Sequence, residues 1–220
     1  MRARERDLVA ATRSLFDERG MQAAQVEEIA RAAGIARGLV YRHFSSKEEL
    51  YVLTVTHYLD ELAELLEAAV AGGSDPTDRL ERCSQAFARY CTRYPAFLDA
   101  SQALMRRHAM ELNEIVSDMV WLQLGQSMAR CLGCLAEVLR DGAEAGAFRV
   151  EDPDYMANLL WTQSLGMMHL ARIRVGVRRD APGIPALFSI TQDQVVESCV
   201  RGALLLVGAS ARGRPRSAPA

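Results

Sequence analysis

Apolar residues recur at three- and four-residue intervals along almost the whole chain, and that spacing leaves few folds open other than a packed set of helices. Leu8, Val9, Ala11, Leu15 and Phe16, with Thr12 beside them, form one stripe on a helix predicted over 4–19, which Gly20 would cap. Two short pieces follow, one defined by Val26, Ile29, Ala30 and Ala33 and ended by Gly34, the other by Leu39, Val40 and Phe44. Ser46, with Glu49 three residues later, reads as a capping box opening a helix over 47–71. Gly72 to Pro76 stop it, and further helices are expected over 76–94, 95–108, 111–145, 153–175 and 191–208. Residues 176–190, rich in Gly, Pro and Arg, read as a loop. Strand alternation and internal repeats are not seen. The expected fold class is all-α, with domains at 1–48 and 49–208 and a disordered basic tail at 209–220.

The bulk numbers narrow the function. The 220 residues suffice for a core without disulfides. A net charge of −2 and a pI near 6.1 exclude a chain-wide attraction for nucleic acid, so any DNA binding must come from a local basic surface. Five cysteines, an odd number, and a charged start without an apolar signal region point to a reducing, cytoplasmic setting. Apolar runs are broken too soon to span a bilayer, so no membrane partner is expected. GxSxG, HExxH, P-loop and GxGxxG patterns are not found in a setting that would support them, so we expect no enzyme, cofactor or metal centre.

Between Gln25 and Lys47 lie two short helices joined by a tight glycine turn, the helix-turn-helix pattern. The second piece, about 36–44, exposes Arg37, Gly38, Tyr41, Arg42 and His43. Arg37 has the fork to read guanine O6 and N7. Gly38 lets the backbone come close to DNA, and Tyr41 and His43 can donate to phosphate. Residues 31–47 carry Arg31, Arg37, Arg42 and Lys47 and no acid, and Lys47 starts a helix whose N–H groups favour a phosphate.

The run from Ile29 to Leu50, with Ala11, Leu15, Phe16, Glu18 and Gly20 upstream, closely resembles the TetR family of repressors over about residues 5–55. The resemblance implies an N-terminal three-helix DNA-binding domain and a larger helical-bundle domain for ligand and dimerisation, about nine helices in all. It implies that Arg37, Gly38, Tyr41, Arg42, His43 and Lys47 face DNA and that Phe44 belongs to the small core. Two positions depart from the family's pattern. Gln25 stands where Thr is usual, able to reach phosphate but a poor cap, and Ala36 stands where Ser or Thr is frequent.

The middle helices carry Met105, Met110, Met119, Trp121, Met128, Phe148, Trp161, Met167 and Met168. Singly each reads as core. As a set they read equally as the lining of an apolar pocket. The expected lining is Met105, Trp121, Met128, Trp161, Met168 and His169, the histidine supplying a hydrogen bond. Cys131 and Cys134 form a CxxC within a helix. Core packing is the main reading and a redox- or metal-responsive switch the alternative, the metal needing His108 or His169 close by.

The helices near 153–175 (Met156, Leu159, Leu160, Ser164, Met167, Met168, Ala171) and 191–208 (Val195, Val196, Cys199, Val200, Ala203, Leu204, Val207) hold more apolar residues than one-sided burial uses. They are the expected homodimer interface. The whole reads as a regulator on a near-palindromic double-stranded operator, released when a small apolar effector changes the spacing of its two heads.

Overall fold

The computed structural model describes residues 3–20, 25–106 and 116–209. Among them are nine helices and one hairpin. The helices are α1 (Ala3–Arg19), α2 (Val26–Ala32), α3 (Arg37–His43), α4 (Lys47–Ala71), α5 (Pro76–Arg93), α6 (Pro95–Met105), α7 (Asp118–Glu144), α8 (Pro153–Ile173) and α9 (Gln192–Leu206). Strands β1 (Val175–Ala181) and β2 (Ile184–Ser189) lie between α8 and α9. The fold is all-α in class, a three-helix head followed by a larger helical body. No described helix is long and apolar enough to cross a membrane.

Local chemistry sets the ends of these elements. α2 closes in a Schellman arrangement: Gly34, at φ +67°, and Ile35 donate back to the carbonyls of Arg31 and Ala30 at 3.1 and 2.9 Å. A residue with a Cβ would be strained there, so this glycine sets the angle between α2 and α3. Asp75 caps α5 ahead of Pro76, Asp152 caps α8 ahead of Pro153, and Thr191 with Gln194 forms a full capping box on α9.

α4 joins head to body. Twelve of its 25 residues are buried, too many for a helix covered on one side only. Head residues Leu8, Phe16, Ile29, Val40 and Phe44 belong to the same continuous cluster as Leu50, Leu59, Phe97 and Trp161. A second cluster, at the other end of the body, gathers Leu80, Leu139, Phe148, Leu160 and Val207.

Several expectations need correction. Residues 176–190 are not a loop but most of an antiparallel hairpin, with Val177 opposite Leu187 and Ala181 opposite Ile184 across a Pro182–Gly183 turn. Gly183, at φ +80°, supplies the left-handed residue such a turn needs after proline. The helix expected over 111–145 starts only at Asp118, because Ser117 is extended at φ −65°, ψ 150°. The helix expected over 95–108 ends at Met105. Of the residues expected at a dimer interface, Leu160, Met168, Ala171, Val195, Val196, Cys199, Ala203 and Val207 are buried within the chain itself. Arg107, His108 and Met110, and tail residues 210–220, lie outside the described residues.

The far cluster makes one packing prediction. The Phe148 ring lies on Gly142, where an added Cβ would come within 2.0 Å of a ring carbon. Gly142→Ala must therefore displace a buried ring, at a cost of about 1–3 kcal/mol. Urea unfolding should show a lower midpoint for this variant.

Candidate nucleic-acid interface and apolar cavity

Helix α3 begins after Ala36, which is extended and caps nothing with its side chain; Gln25 is likewise an extended N-cap with no side-chain cap bond to α2. Both departures therefore leave helix N–H groups at the surface. Val40 and Phe44 are buried under α3, while Arg37, Gly38, Tyr41 and Arg42 are exposed on it, and Gln25 and Lys47 are exposed at its flanks. His43 is turned partly inward, with Nδ1 3.8 Å from Glu5, so it is less open than the other five side chains. A Cβ on Gly38 would meet nothing within 4 Å in the chain, so packing alone does not require glycine there.

Sequence reasoning missed the neighbour of Arg37. Its guanidinium pairs with Glu27 of α2 at 2.7 Å and lies over the Tyr41 ring, 5.8 Å from the centroid. The group best suited to read guanine is therefore folded back onto its own head.

Two contacts tie the head to the body. The first is Glu49, a buried residue in the first turn of α4. The Ser46 hydroxyl accepts from the Glu49 N–H at 3.0 Å, as a capping box requires. The Glu49 carboxylate, however, accepts from Ser45, from its N–H at 2.5 Å and its hydroxyl at 2.6 Å, and from the Ser117 hydroxyl at 2.5 Å. Burial pushes this carboxyl up, but the hydrogen bonds from Ser117 and Ser45 outweigh it and hold the group below the usual carboxylate range. The segment just past α3 is thus linked through one carboxylate to the start of α7. The second contact pins α1. Arg13 pairs with Glu61 and lies over the rings of Tyr58 and Tyr94, at 4.4 and 5.0 Å, while the Tyr58 hydroxyl donates to Asp17 at 2.6 Å.

Four helices line an apolar cavity of about 320 Å³ that is open on one side, where Met105 and Gly125 are exposed. Val55 and Leu59 come from α4, Ser101, Leu104 and Met105 from α6, Trp121, Leu124, Gly125 and Met128 from α7, and Trp161 and Leu165 from α8. Each set follows helical i, i+3, i+4 spacing, so each helix turns one face inward. Among the described residues, Ser101 carries the only side-chain polar group of the lining other than the Trp indoles, and none of the lining residues is charged. A Cβ on Gly125 would meet nothing within 4 Å, so the glycine opens space between Trp121 and Met128. The volume falls at the lower end of the range for small-molecule sites.

Met105, Trp121, Met128 and Trp161 thus stand together on the cavity wall. Met168 does not line it; it is buried one turn further along α8. His169 does not line it either and is exposed. Eight residues beyond Trp161, it lies about 80° around the helix from the inward face. Met119 is exposed, and Phe148 belongs to the far cluster on Gly142. Leu104, Ser101 and Gly125 were missed, although the spacing of Ser101, Leu104 and Met105 on one short helix marks a common face.

A second cleft, of about 340 Å³, lies on the other side of α4 and α7 and is lined mainly by polar groups, among them His57, Asp60, Gln123 and Arg130. Its strongest charges are already satisfied. Arg130 is bidentate to Glu67, both bonds at 2.6 Å, and Asp60 accepts from Ser127.

Comparison with known proteins agrees with this arrangement. The family described as "Bacterial regulatory proteins, tetR family" matches residues 8–53, which span α1 to the start of α4. The chain is 32% identical over 146 residues to the HTH-type transcriptional repressor KstR2 of Rhodococcus jostii RHA1, covering 66% of this chain and 68% of that protein. The chain belongs to the tetR family of bacterial regulatory proteins. Solved structures share its fold. The fatty acid degradation regulator FadR of Bacillus halodurans superposes with a TM-score of 0.68 at 19% identity, covering 97% of this chain and 99% of that one. The ketosteroid transcriptional regulator KstR2 of Mycobacterium tuberculosis gives 0.60 at 24%, covering 94% and 96%. TetR-family regulators bind DNA operators and ligands and function as dimers. The chain is a transcriptional regulator of this family and not an enzyme.

The redox or metal alternative finds no support in this tetR-family chain. The Cys131 thiol donates to the Leu59 carbonyl at 3.4 Å and is pushed up to about 12 by burial, so it stays protonated at neutral pH. Cys83 is raised as well, by its hydrogen bond with Cys134 and by burial. Among the described residues no group of three or more His, Cys, Asp or Glu could hold a metal ion, and His108 lies outside them.

Two measurements follow. Gly38→Ala should stabilise the isolated protein by about 0.5–1 kcal/mol, because alanine favours a helix, yet weaken operator binding. Unchanged binding would show that DNA does not approach there. The second concerns pH. The Glu49 carboxyl lies lower in the folded chain than in the unfolded one, so its stabilisation is full above about pH 4.3 and is lost as pH falls through the folded value. Acid unfolding of Glu49→Gln should lack this part of the pH dependence.

Proposed function

We propose that this regulator is a homodimeric repressor that holds a near-palindromic operator and is released by a compact, neutral, apolar effector bound in the cavity between α4, α6, α7 and α8. The carrying observation is that α4 and α7 both wall this cavity and are tied at their starts by Glu49 and Ser117 next to the recognition segment. Trp121 lies one helical turn beyond Ser117. A ligand wedged between Val55 and Leu59 on one side and Trp121 and Leu124 on the other spreads α4 from α7 and shifts the segment that Glu49 holds. Arg13 and Asp17 make α1 move with α4, so the head turns as a unit. In a dimer this alters the spacing of the two recognition helices, which must stay about 34–36 Å apart to fill successive major grooves. The effector acts only to the extent that it binds the released form more tightly than the operator-bound form.

Charge and polarity support the ligand class. A wall with no charged residue among the described ones disfavours an ionic effector, and Ser101 offers one hydrogen bond. In the head, Arg37, Gly38, Tyr41, Arg42 and Lys47, with Gln25 and His43 at the edge, form the proposed DNA surface. The repressor sense follows the printed name of the Rhodococcus relative. A cytoplasmic location fits a DNA-binding role.

The dimer face proposed here is the outer side of α8 and α9. Eleven of the sixteen exposed large hydrophobic side chains among the described residues fall between Tyr155 and Leu206, a concentration a monomer would not carry. On α8 the exposed stripe is Tyr155, Leu159, Thr162, Gly166, Leu170 and Ile173, at helical spacing. Gly166 has open space above it, so a mate's helix can come close.

The test joins both sites. Genomic fragments retained by the purified protein at physiological salt should yield a near-palindrome, and sequence-blind, salt-sensitive retention would defeat the operator reading. The neutral apolar fluorophore N-phenyl-1-naphthylamine should bind the wild-type protein. Gly125→Leu, which adds bulk to the cavity wall at a position where a Cβ meets nothing within 4 Å, should weaken that binding about tenfold or more and leave operator affinity intact. Equal fluorophore binding by the two would place the effector elsewhere.

A further inference from the structure

We infer that the hairpin of β1 and β2 is a dimerisation arm whose outer face packs against a second copy of this chain; the inference rests on the dimer reading above. Cross-strand pairing assigns its two faces. Val175, Val177 and Arg179 share one face with Ser189, Leu187 and Pro185. On the opposite face the Phe188 ring covers Gly176, where an added Cβ would come within 2.4 Å of it, and Ile190 adds to this cover. That side is therefore partly covered by the chain's own residues, Gly176, Ala186 and Ile190 being half-buried and Phe188 40% exposed. The first side is not. Val177 and Leu187, directly opposite each other, are 69% and 71% exposed, and Ile184 at the tip is 60% exposed.

An isolated two-stranded ribbon is marginal in water, and one with its largest aliphatic side chains facing out gains little by keeping its shape alone. The occupant of that face is indicated by continuity and by area. β1 starts one residue beyond α8, whose exposed stripe ends in Leu170 and Ile173, so exposed apolar residues continue from this proposed interface helix through Val175 and Val177 onto the ribbon. At about 1.5 Å per residue and about 10 Å of width, the outer faces of α8 (21 residues) and α9 (15 residues) offer only about 500 Å² per protomer. A stable dimer of ordinary size buries about 800 Å² on each partner. A ribbon about 20 Å long and about 10 Å wide adds about 200 Å² of its own. By the twofold it covers as much again on the mate, which brings the total into that range.

The experiment is sedimentation equilibrium on the full chain. Because Val177 and Leu187 are exposed, the double variant Val177→Glu, Leu187→Glu should keep its far-UV circular dichroism, and its dimer dissociation constant should rise about tenfold or more. A photo-crosslinking benzoylphenylalanine at position 187 should give covalent dimers on irradiation. An unchanged dissociation constant in the double variant, or photoproducts confined to the monomer, overturns the arm even where Gly166→Arg still splits the dimer. A wild-type chain that sediments as a monomer overturns the dimer reading itself.

Discussion

A carboxylate taken out of water must find hydrogen-bond donors, and Glu49 finds them on two separate parts of the molecule. Ser45 follows directly on the recognition helix, and Ser117 opens α7. Were either donor to withdraw, a charge would be left buried and short of partners, so the two ends of this link cannot move independently at low cost. The same α4 and α7 wall the apolar cavity further along. Reading head and cavity are thus coupled through helices that share a polar tie at one end and an apolar gap in the middle. Arg13, lying over two tyrosine rings and paired with Glu61, removes the remaining freedom of α1 to turn separately from α4.

Much of this was legible in the residues because it is local. The Gly34 turn, the exposed set on α3, the start of α4 at Lys47 and the stop at Gly72–Pro76 depend on neighbours a few positions apart. What was not legible depends on distance in the chain. Glu49 looked like half of a capping box, and its bond to Ser117 spans 68 residues. Arg37 looked free because its partner sits on the preceding helix. His169 looked like a pocket group because it has Met167, Met168 and Leu170 as neighbours, yet a shift of one residue from Met168 turns it about 100° away. The hairpin was hidden by its composition, since Arg and Gly masked the alternation of Val175 and Val177, although Pro182–Gly183 was a turn signal at the right place.

The two sides of α4 show how one helix serves opposite chemistries. Val55 and Leu59 face a cavity whose described lining is uncharged, while Thr56, His57 and Asp60 face a cleft where Ser127 and Arg130 meet the carboxylates of Asp60 and Glu67. The polar side holds α4 against α7 through bonds that water can replace. The apolar side gains by being filled, by a ligand or by collapse. On the proposed reading, this difference in what each side gains is what would make the spacing of α4 and α7 sensitive to an apolar occupant.

The pairing of Arg37 with Glu27 bears on how the operator is found. Both groups are well exposed, so the pair opens easily, and in the proposed complex a guanine edge would offer the guanidinium two acceptors in return. On the proposed reading, a stretch of duplex without such acceptors would not repay the opening, and the side chain would stay folded against α2. A guanidinium held in this way would not drag on each base it passes, and Glu27 would offset part of its pull on the phosphates. The head would then travel with a light touch while scanning and tighten only where the groove fits, a division between search and grip set by one carboxylate ten residues upstream of Arg37.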